Sequence, residues 1–543
     1  MSQGDLVRLN VDLAGVSTSS ATYSRFKSWV DAAVNGNPGY DFHPADAAIM
    51  FLITRDTRYC NTGVALVEEQ VADAEASIAS GSAPDVAHDS YLDVGPMIAD
   101  LSYVYQACSA QMSASQRQRW SAYAEQAVWN IWNYQSARWG TRSMPWSGWS
   151  VDNPGNNYHF SFIEATMTWA LASGSRTWFN LLANQKMPAI RAYYAKMPGG
   201  GSLEGTGYGV AQRRLFDLHR LWSASTGTDF SQANTHAALS IPYWVHATVP
   251  TRDMFAPIGD QARSSSPDIF DYHRHLVLSA RELTYDPALR DMASWWLRNI
   301  SVSSMSQGSN RRYDALLPVG SANTPPADLH YVAKGTGHVF GRTGWDTNAM
   351  WMAFVAGPYN ESHAHQDQGS FTLFSRGSWL AVTANIWSDS GINQDTPVHN
   401  VVRFERNGSI VSQRTSSTST ATVTPGSNGA LTINANLTPA YGGNAAVGSW
   451  KRRLAFAGRK LNVQDTLALG SGTSAYFQVN VPVQPTIVDA RTIDAGGVRI
   501  RVLRPSNPTV TLHNWTSSGE FGRGWRVDIG GSTTAYEVEL TER

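Results

Sequence analysis

Over roughly the first 315 residues, apolar side chains recur at a helical period. Ile98, Leu101, Tyr105 and Cys108 fall at i, i+3, i+7 and i+10. Similar stripes run through Trp120, Tyr123, Ala127 and Ile131, and through Phe160, Ile163, Met167 and Ala170. Two of the predicted helices cover about 58–76 and 95–108. Pro96 sits in the first turn of the second, where its missing N–H costs little. Asn35-Gly36-Asn37-Pro38-Gly39, Asp152-Asn153-Pro154-Gly155 and Pro198-Gly199-Gly200-Gly201 punctuate the stripes. The pattern is a long succession of helical hairpins without alternating strands.

A polar stretch at 301–310 and the Pro-rich Asn323-Thr324-Pro325-Pro326 end this region. Beyond about 330 the period becomes two. Met350, Met352 and Phe354 alternate with Trp351, Ala353 and Val355, and Phe371-Thr372-Leu373-Phe374 leads through Arg376-Gly377 into Trp379-Leu380-Ala381-Val382. Later strands are predicted at 454–456, 461–463, 498–502, 509–512, 525–527 and 536–540. The Ser/Thr-rich stretch 416–427 reads as an exposed loop or edge. The division is a helical domain over 1–315, a linker over 316–330 and an antiparallel β-sheet domain of stacked sheets over 331–543.

Composition narrows the function without naming it. The chain has 543 residues and a formal net charge of −1. That excludes a broad basic face for nucleic acid or a membrane surface. The apolar run 47–54 is far too short to span a bilayer, which takes ~18 or more apolar residues. There are 20 Trp, and only six of the 42 basic residues are Lys, leaving 36 Arg. Trp and Arg would suit a cleft for a sugar acid, but a helical core and genomic composition explain the counts equally simply. Met1-Ser2-Gln3-Gly4-Asp5 lacks a basic region followed by an apolar stretch. A mature domain behind an added Met would read the same way.

The two cysteines, Cys60 and Cys108, form neither a zinc pattern nor a CxxC pair. They fall near the start of one predicted helix and the end of the next, which are neighbours in an antiparallel hairpin. A disulfide and two buried thiols both fit. The disulfide is the expectation carried forward, and it favours an oxidising compartment.

Three polar constellations interrupt the pattern. Gly155-Asn156-Asn157-Tyr158-His159 stands just before the stripe at Phe160. Asn caps helices, and helix N-termini attract anions, so the group reads either as a cap or as a carboxylate cradle. Gly199-Gly200-Gly201-Ser202-Leu203-Glu204-Gly205-Thr206-Gly207-Tyr208-Gly209 places Glu204 and Tyr208 among glycines, with Arg213 and Arg214 following. A tyrosine at its ordinary value of ~10 is a poor base at neutral pH, and neighbouring Arg would lower it. Ser362-His363-Ala364-His365-Gln366-Asp367 lies between two strand-like stretches, and His399-Asn400 follows. On an extended segment His363, His365 and Asp367 would share one face, as a metal or acid/base site requires.

Taken in order, these pieces resemble the heparinase II/III-like polysaccharide lyases. The resemblance rests on Asn157 and His159, the GGSLEGTGYG segment with Tyr208, Ile258-Gly259-Asp260, and SHAHQDQGSFTLF leading to His399-Asn400. It implies an incomplete (α/α) toroid followed by a β-sheet domain, and β-elimination on a uronic-acid-containing polysaccharide. Asn157 is then the carboxylate neutraliser, with His159 assisting it or acting as base. Tyr208 is the acid, or acid and base together in a syn elimination, and His363 the base or charge stabiliser. Asn156, Tyr158, Glu204, Arg213 and Arg214 are candidate substrate-orienting groups.

Two departures from the family pattern matter. Members often have Asn directly before His, whereas Tyr158 intervenes here, so the roles of Asn156, Asn157 and His159 are interchangeable. Zinc-bearing members use a His of the H-x-H stretch, a downstream Asp and a later His. His365 and His399 are present, but 380–384 holds no Asp, leaving Asp367 or Asp389 as substitutes. The expectation is no required cofactor, with His365, Asp367 and His399 as a possible structural zinc or other divalent site. Without metal, His365 and Asp367 would hydrogen-bond and orient the loop bearing His363.

Trp120, Trp129 and Trp169 read as core. Trp139, Trp146 and Trp149 occupy a Gly/Pro/Ser loop leading to Asn157 and read as a sugar-stacking wall. The expected partner is an acidic polysaccharide, with no nucleic acid and no membrane; oligomeric state is left open. The expected location is periplasmic or secreted, with the signal peptide absent from this chain; a cytoplasmic location is the alternative. Two competing functions are a toroid glycoside hydrolase, which needs two opposed carboxylates, and a non-catalytic carbohydrate-binding protein of the same fold.

Overall fold

The structure, a computed structural model, describes residues 7–261, 266–302, 308, 310–531 and 533–543. The N-terminal stretch 1–5 read for a leader, and most of the polar stretch 301–310, lie outside the described residues.

The helices start and stop where local chemistry directs. The Asp56 side chain accepts from the Arg58 N–H to open Thr57–Ser80, and left-handed Gly81 ends it. Ser113 and Gln116 form a capping box for Ala114–Trp132. Asn156 caps Asn157–Ser173, which ends at left-handed Gly174. Both predicted helices are present, as Thr57–Ser80 and Val94–Ala107. Cys60 and Cys108 are joined by a disulfide, with Cα atoms 5.3 Å apart.

The helices Pro44–Thr54, Val94–Ala107, Asn157–Ser173, Gln212–Thr226 and Asp271–Glu282 pack side by side in chain order. Asn310–Leu316 then packs against both Asp271–Glu282 and Ala21–Val34. Together they surround a polar centre in which Arg312 pairs with Asp46, His43 with Asp100, and His275 with Asp217. Thr57–Ser80, Ala114–Trp132, His236–Ala247 and Pro287–Asn299 back these helices from outside. This is the expected toroid. No helix among the described residues is long and apolar enough to cross a membrane.

The β region contains three main antiparallel sheets. One has five strands, in order His330–Ala333, His338–Arg342, Met350–Val355, Phe371–Ser375 and Ser378–Ala381. A second has eight strands, and a third five. Thr420–Pro425, within the Ser/Thr-rich stretch, is an edge strand of the eight-stranded sheet.

The sheet containing Met350–Val355 joins the two regions. All six residues of that strand are buried, so its alternation does not separate core from solvent. Trp351, Ala353 and Val355 belong to the core of the toroid, whereas Met350, Met352 and Phe354 belong to the core of the β region. The Trp351 indole donates to the His246 carbonyl (2.9 Å), and Arg342 donates to the His246 and Thr248 carbonyls. Both acceptors lie at the end of His236–Ala247, so the sheet forms a wall of the helical body.

Candidate active site

Three separate segments are laced together where the toroid meets the β region. The Thr206 N–H donates to the Ile258 carbonyl (2.8 Å), the Tyr208 N–H to the Asp260 carbonyl (3.3 Å) and the Asp260 N–H to the His363 carbonyl (2.9 Å). Two glycines permit this closeness. Gly205 has φ 87°, and a Cβ there would lie 2.0 Å from the Ile258 oxygen. Gly259 has φ 72°, and a Cβ there would lie 2.4 Å from the Glu204 oxygen and 2.8 Å from that of His363. Any other residue would push the segments apart.

Side chains complete the junction. The Tyr208 and His363 rings stack with centroids 3.7 Å apart and planes 11° from parallel. His363 Nδ1 lies 2.8 Å from Asp260 Oδ2, and His365 Nε2 lies 2.7 Å from Asp260 Oδ1. Gln394 Nε2 donates to both carboxylate oxygens. Burial alone would raise the Asp260 carboxyl, but the bonds from His363 and His365 outweigh it and hold the group below its ordinary value.

Tyr208 also lines a cavity of about 350 Å³ with Asn157, Phe160, Arg213, Arg214 and Tyr272. Asn157 is the first helical residue, and its Oδ1 has no protein partner among the described residues. Asn156 is the cap: its side chain accepts from the Tyr158 N–H at 3.0 Å. Thus the cap and the cavity group are different asparagines. Arg214 pairs with Glu164 at 3.1 Å, and Arg213 lies over the Tyr272 ring. The Tyr158 hydroxyl donates to Asp89, and burial together with that carboxylate pushes it up to about 12.

His159 is not brought into this group. Its ring is buried beside Trp132, and its Nδ1 lies 3.0 Å from the Val151 carbonyl. Burial, aided by Lys186, holds it down to about 4, so it is neutral at pH 7. Helical geometry explains the separation. At 3.6 residues per turn, side chains two positions apart point about 200° from each other, whereas Asn157 and Phe160, three apart, share the cavity face.

Glu204 is buried, and its Oε1 has no hydrogen-bond partner among the described residues. Burial pushes it up to about 7, opposed by His363 and reinforced by Glu361 and Asp260. Glu361 accepts a hydrogen bond from the Tyr193 hydroxyl at 3.0 Å.

The His-x-His-x-Asp stretch departs from its expected form. It is a loop preceding Phe371–Ser375, not an extended strand face. His363 and His365 nevertheless converge on Asp260, and it is Asp260, not Asp367, that orients them. Asp367 is buried separately, and burial raises it to about 6 against the pull of His365. His365 and His399 have ring centroids 5.1 Å apart, with His365 Nδ1 and His399 Nε2 unpartnered among the described residues. Two imidazole nitrogens fall short of the four ligands of a closed zinc site. Among the described residues no group of three His, Cys, Asp or Glu is arranged to hold a metal, so His365, Asp367 and His399 do not assemble as a ligand set.

The tryptophan loop divides. Trp139 is 2% exposed and its indole donates to the Tyr91 hydroxyl, so it belongs to the core and not to a sugar-stacking wall. Trp146 is half-buried against Tyr91 and donates to the Asn130 carbonyl. Only Trp149, 51% exposed, presents a large free surface. Trp120 and Trp169 are buried, while Trp129 is half-buried under Arg138.

Residues 334–542 match the family described as "Heparinase II/III-like, C-terminal". The match covers most of the β region, and the chain as a whole shares its fold with solved polysaccharide lyases. Among solved structures, heparinase III aligns with a TM-score of 0.63 at 11% identity, covering 100% of this chain and 87% of that one. Heparan sulfate lyase HepC from Pedobacter heparinus aligns at 0.55 and 13%, covering 97% and 84%. Chondroitin AC lyase from Streptomyces coelicolor A3, in complex with chondroitin sulphate, aligns at 0.52 and 10%, covering 96% and 82%. No curated protein matches the chain by sequence.

Proposed function

We propose that the protein is a polysaccharide lyase that cleaves a uronic-acid-containing polysaccharide by β-elimination. The observation that carries this reading is the Tyr208–His363 stack beside a cavity shared by Tyr208 and Asn157.

A uronate's C5 proton is hard to remove because the adjacent carboxylate already carries negative charge. The Asn157 amide, at the helix N-terminus, donates to that carboxylate and stabilises the enolate-like charge that develops. Tyr208, as the phenolate, accepts the C5 proton and becomes the phenol. The C5–H electron pair becomes the C4=C5 double bond, the C4–O bond breaks, and the departing oxygen takes a proton from Tyr208. His363, packed on the tyrosine ring, supplies compensating positive charge. Arg213 orients the sugar, with Arg214 and Tyr158 behind it, and Trp149 offers a stacking face along the chain. His159 supports the helix entry from the core and takes no proton. No step is routed through a metal. The Cys60–Cys108 disulfide favours a periplasmic or secreted location.

The test is incubation with alginate, heparan, chondroitin, hyaluronan and bacterial exopolysaccharides, following the ultraviolet absorbance of unsaturated uronate. Appearance of that absorbance with one polymer supports the reading. New reducing ends without it would replace the lyase with a hydrolase, and binding without cleavage would leave a carbohydrate-binding protein.

A further inference from the structure

We propose that Asp260 is the positioning residue of the site: its carboxylate fixes the tautomer and orientation of His363 against Tyr208, and so couples the toroid to the β region at the point of chemistry. The inference rests on the lyase reading of the Tyr208–His363 pair.

Asp260 touches both members of that pair. Its carbonyl accepts from the Tyr208 N–H, its own N–H donates to the His363 carbonyl, and its carboxylate meets His363 Nδ1. Its second carboxylate oxygen meets His365 Nε2, and Gln394 reaches both oxygens. The Asp260 side chain is 5% exposed, so solvent does not compete for these bonds.

The protonation states follow. An ionised carboxylate only accepts, so His363 Nδ1 and His365 Nε2 must both carry protons. Neutral His363 is therefore the Nδ1–H tautomer, with the Nε2 lone pair directed away from Asp260. Neutral His365 is the Nε2–H tautomer, which leaves Nδ1 as a bare acceptor, and that atom is one of the buried nitrogens without a partner. One carboxylate thus sets two imidazoles in opposite tautomers. When His363 takes a second proton, the same carboxylate balances the charge held against the tyrosine ring.

The titratable groups around His363 are Asp260, Glu204 and Tyr208 from the toroid, and Glu361 and His365 from its own loop. Of these, Asp260 has a hydrogen bond to the imidazole ring. In Asp260→Asn the site keeps its shape but loses the carboxylate that accepts from His363 Nδ1 and His365 Nε2.

Nitrogen-15 NMR of the full chain labelled at histidine tests the proposal without a variant or a substrate. Neutral His363 gives the signal of the Nδ1–H tautomer, and neutral His365 that of the Nε2–H tautomer. An Nε2–H tautomer for His363 would overturn the proposal. In Asp260→Asn the Nδ1–H preference is lost. On a polymer that the wild type cleaves, kcat falls by roughly 10- to 10⁴-fold with KM little changed, the upper end being that of a carboxylate orienting a catalytic histidine. Asp260→Glu restores part of the loss. An unchanged kcat together with a retained Nδ1–H tautomer in folded Asp260→Asn would also overturn the proposal. If no polymer is cleaved, the lyase reading fails by itself, while the tautomer measurement still decides the role of Asp260.

Discussion

Tyr208 and His363 stack face to face, 3.7 Å between ring centroids, although one belongs to the toroid and the other to the β region. Neither residue is fully buried, so the pair is held at a wall that a substrate can reach. Tyr208→Phe keeps the ring and the stack but removes the hydroxyl. It should lower kcat by roughly 10²–10⁴-fold, the usual contribution of a positioned acid/base group. Polymer binding, measured by calorimetry, should persist. Near-wild-type turnover would remove Tyr208 from the mechanism.

Asn157 and His159 should separate into chemistry and stability. Asn157→Ala should cost about 10²–10³ in kcat, as for loss of a donor to a developing anion, with little change in melting temperature. His159→Ala empties a buried site and leaves the Val151 carbonyl without its donor. It should cost about 1–3 kcal/mol in denaturant unfolding, while the folded variant keeps its kcat. The reverse pattern would return His159 to the site.

Glu204 gives a pH signature. Its folded value is raised to about 7 from an ordinary 4.5, so the folded state binds its proton more tightly than the unfolded state. The stabilisation is complete below the unfolded value and is lost as pH rises through 7. Glu204→Gln mimics the protonated form at every pH. Its melting temperature should exceed the wild type's at pH 8, and the difference should vanish below about pH 4.5. A constant difference across that range would contradict the assignment.

The Cys60–Cys108 disulfide ties Thr57–Ser80 to the end of Val94–Ala107 and closes a long loop between them. Replacing both cysteines by Ala should lower stability by about 3–4 kcal/mol, from the entropy returned to the unfolded chain. Denaturant unfolding of the oxidised wild type and the double variant measures this. Equal midpoints would show that the unfolded chain is already restrained there.

Periodicity made the fold legible, because helical and extended spacings differ at the scale of a few residues. It also placed Met350–Val355 as a strand, but it could not tell that both faces are covered, since the covering residues come from helices far away in the chain. At the site, Asn157, Tyr208 and His363 stood out because polar groups were packed beside a helix start, among glycines and between strands. Side-chain direction was less legible. His159 points inward through helical phase, Trp139 through its bond to Tyr91, and His365 finds Asp260 in preference to the nearer Asp367. Asp260 was visible only as part of a resemblance, because its partners lie in a different domain.

The sheet shared by two cores has a mechanical consequence. Severing the chain near residue 330 would strip Trp351, Ala353 and Val355 from the helical body and leave an apolar scar on its wall. The strand that closes the wall of the toroid therefore also closes the core of the β region, and the contacts that set Tyr208 against His363 sit on that shared wall.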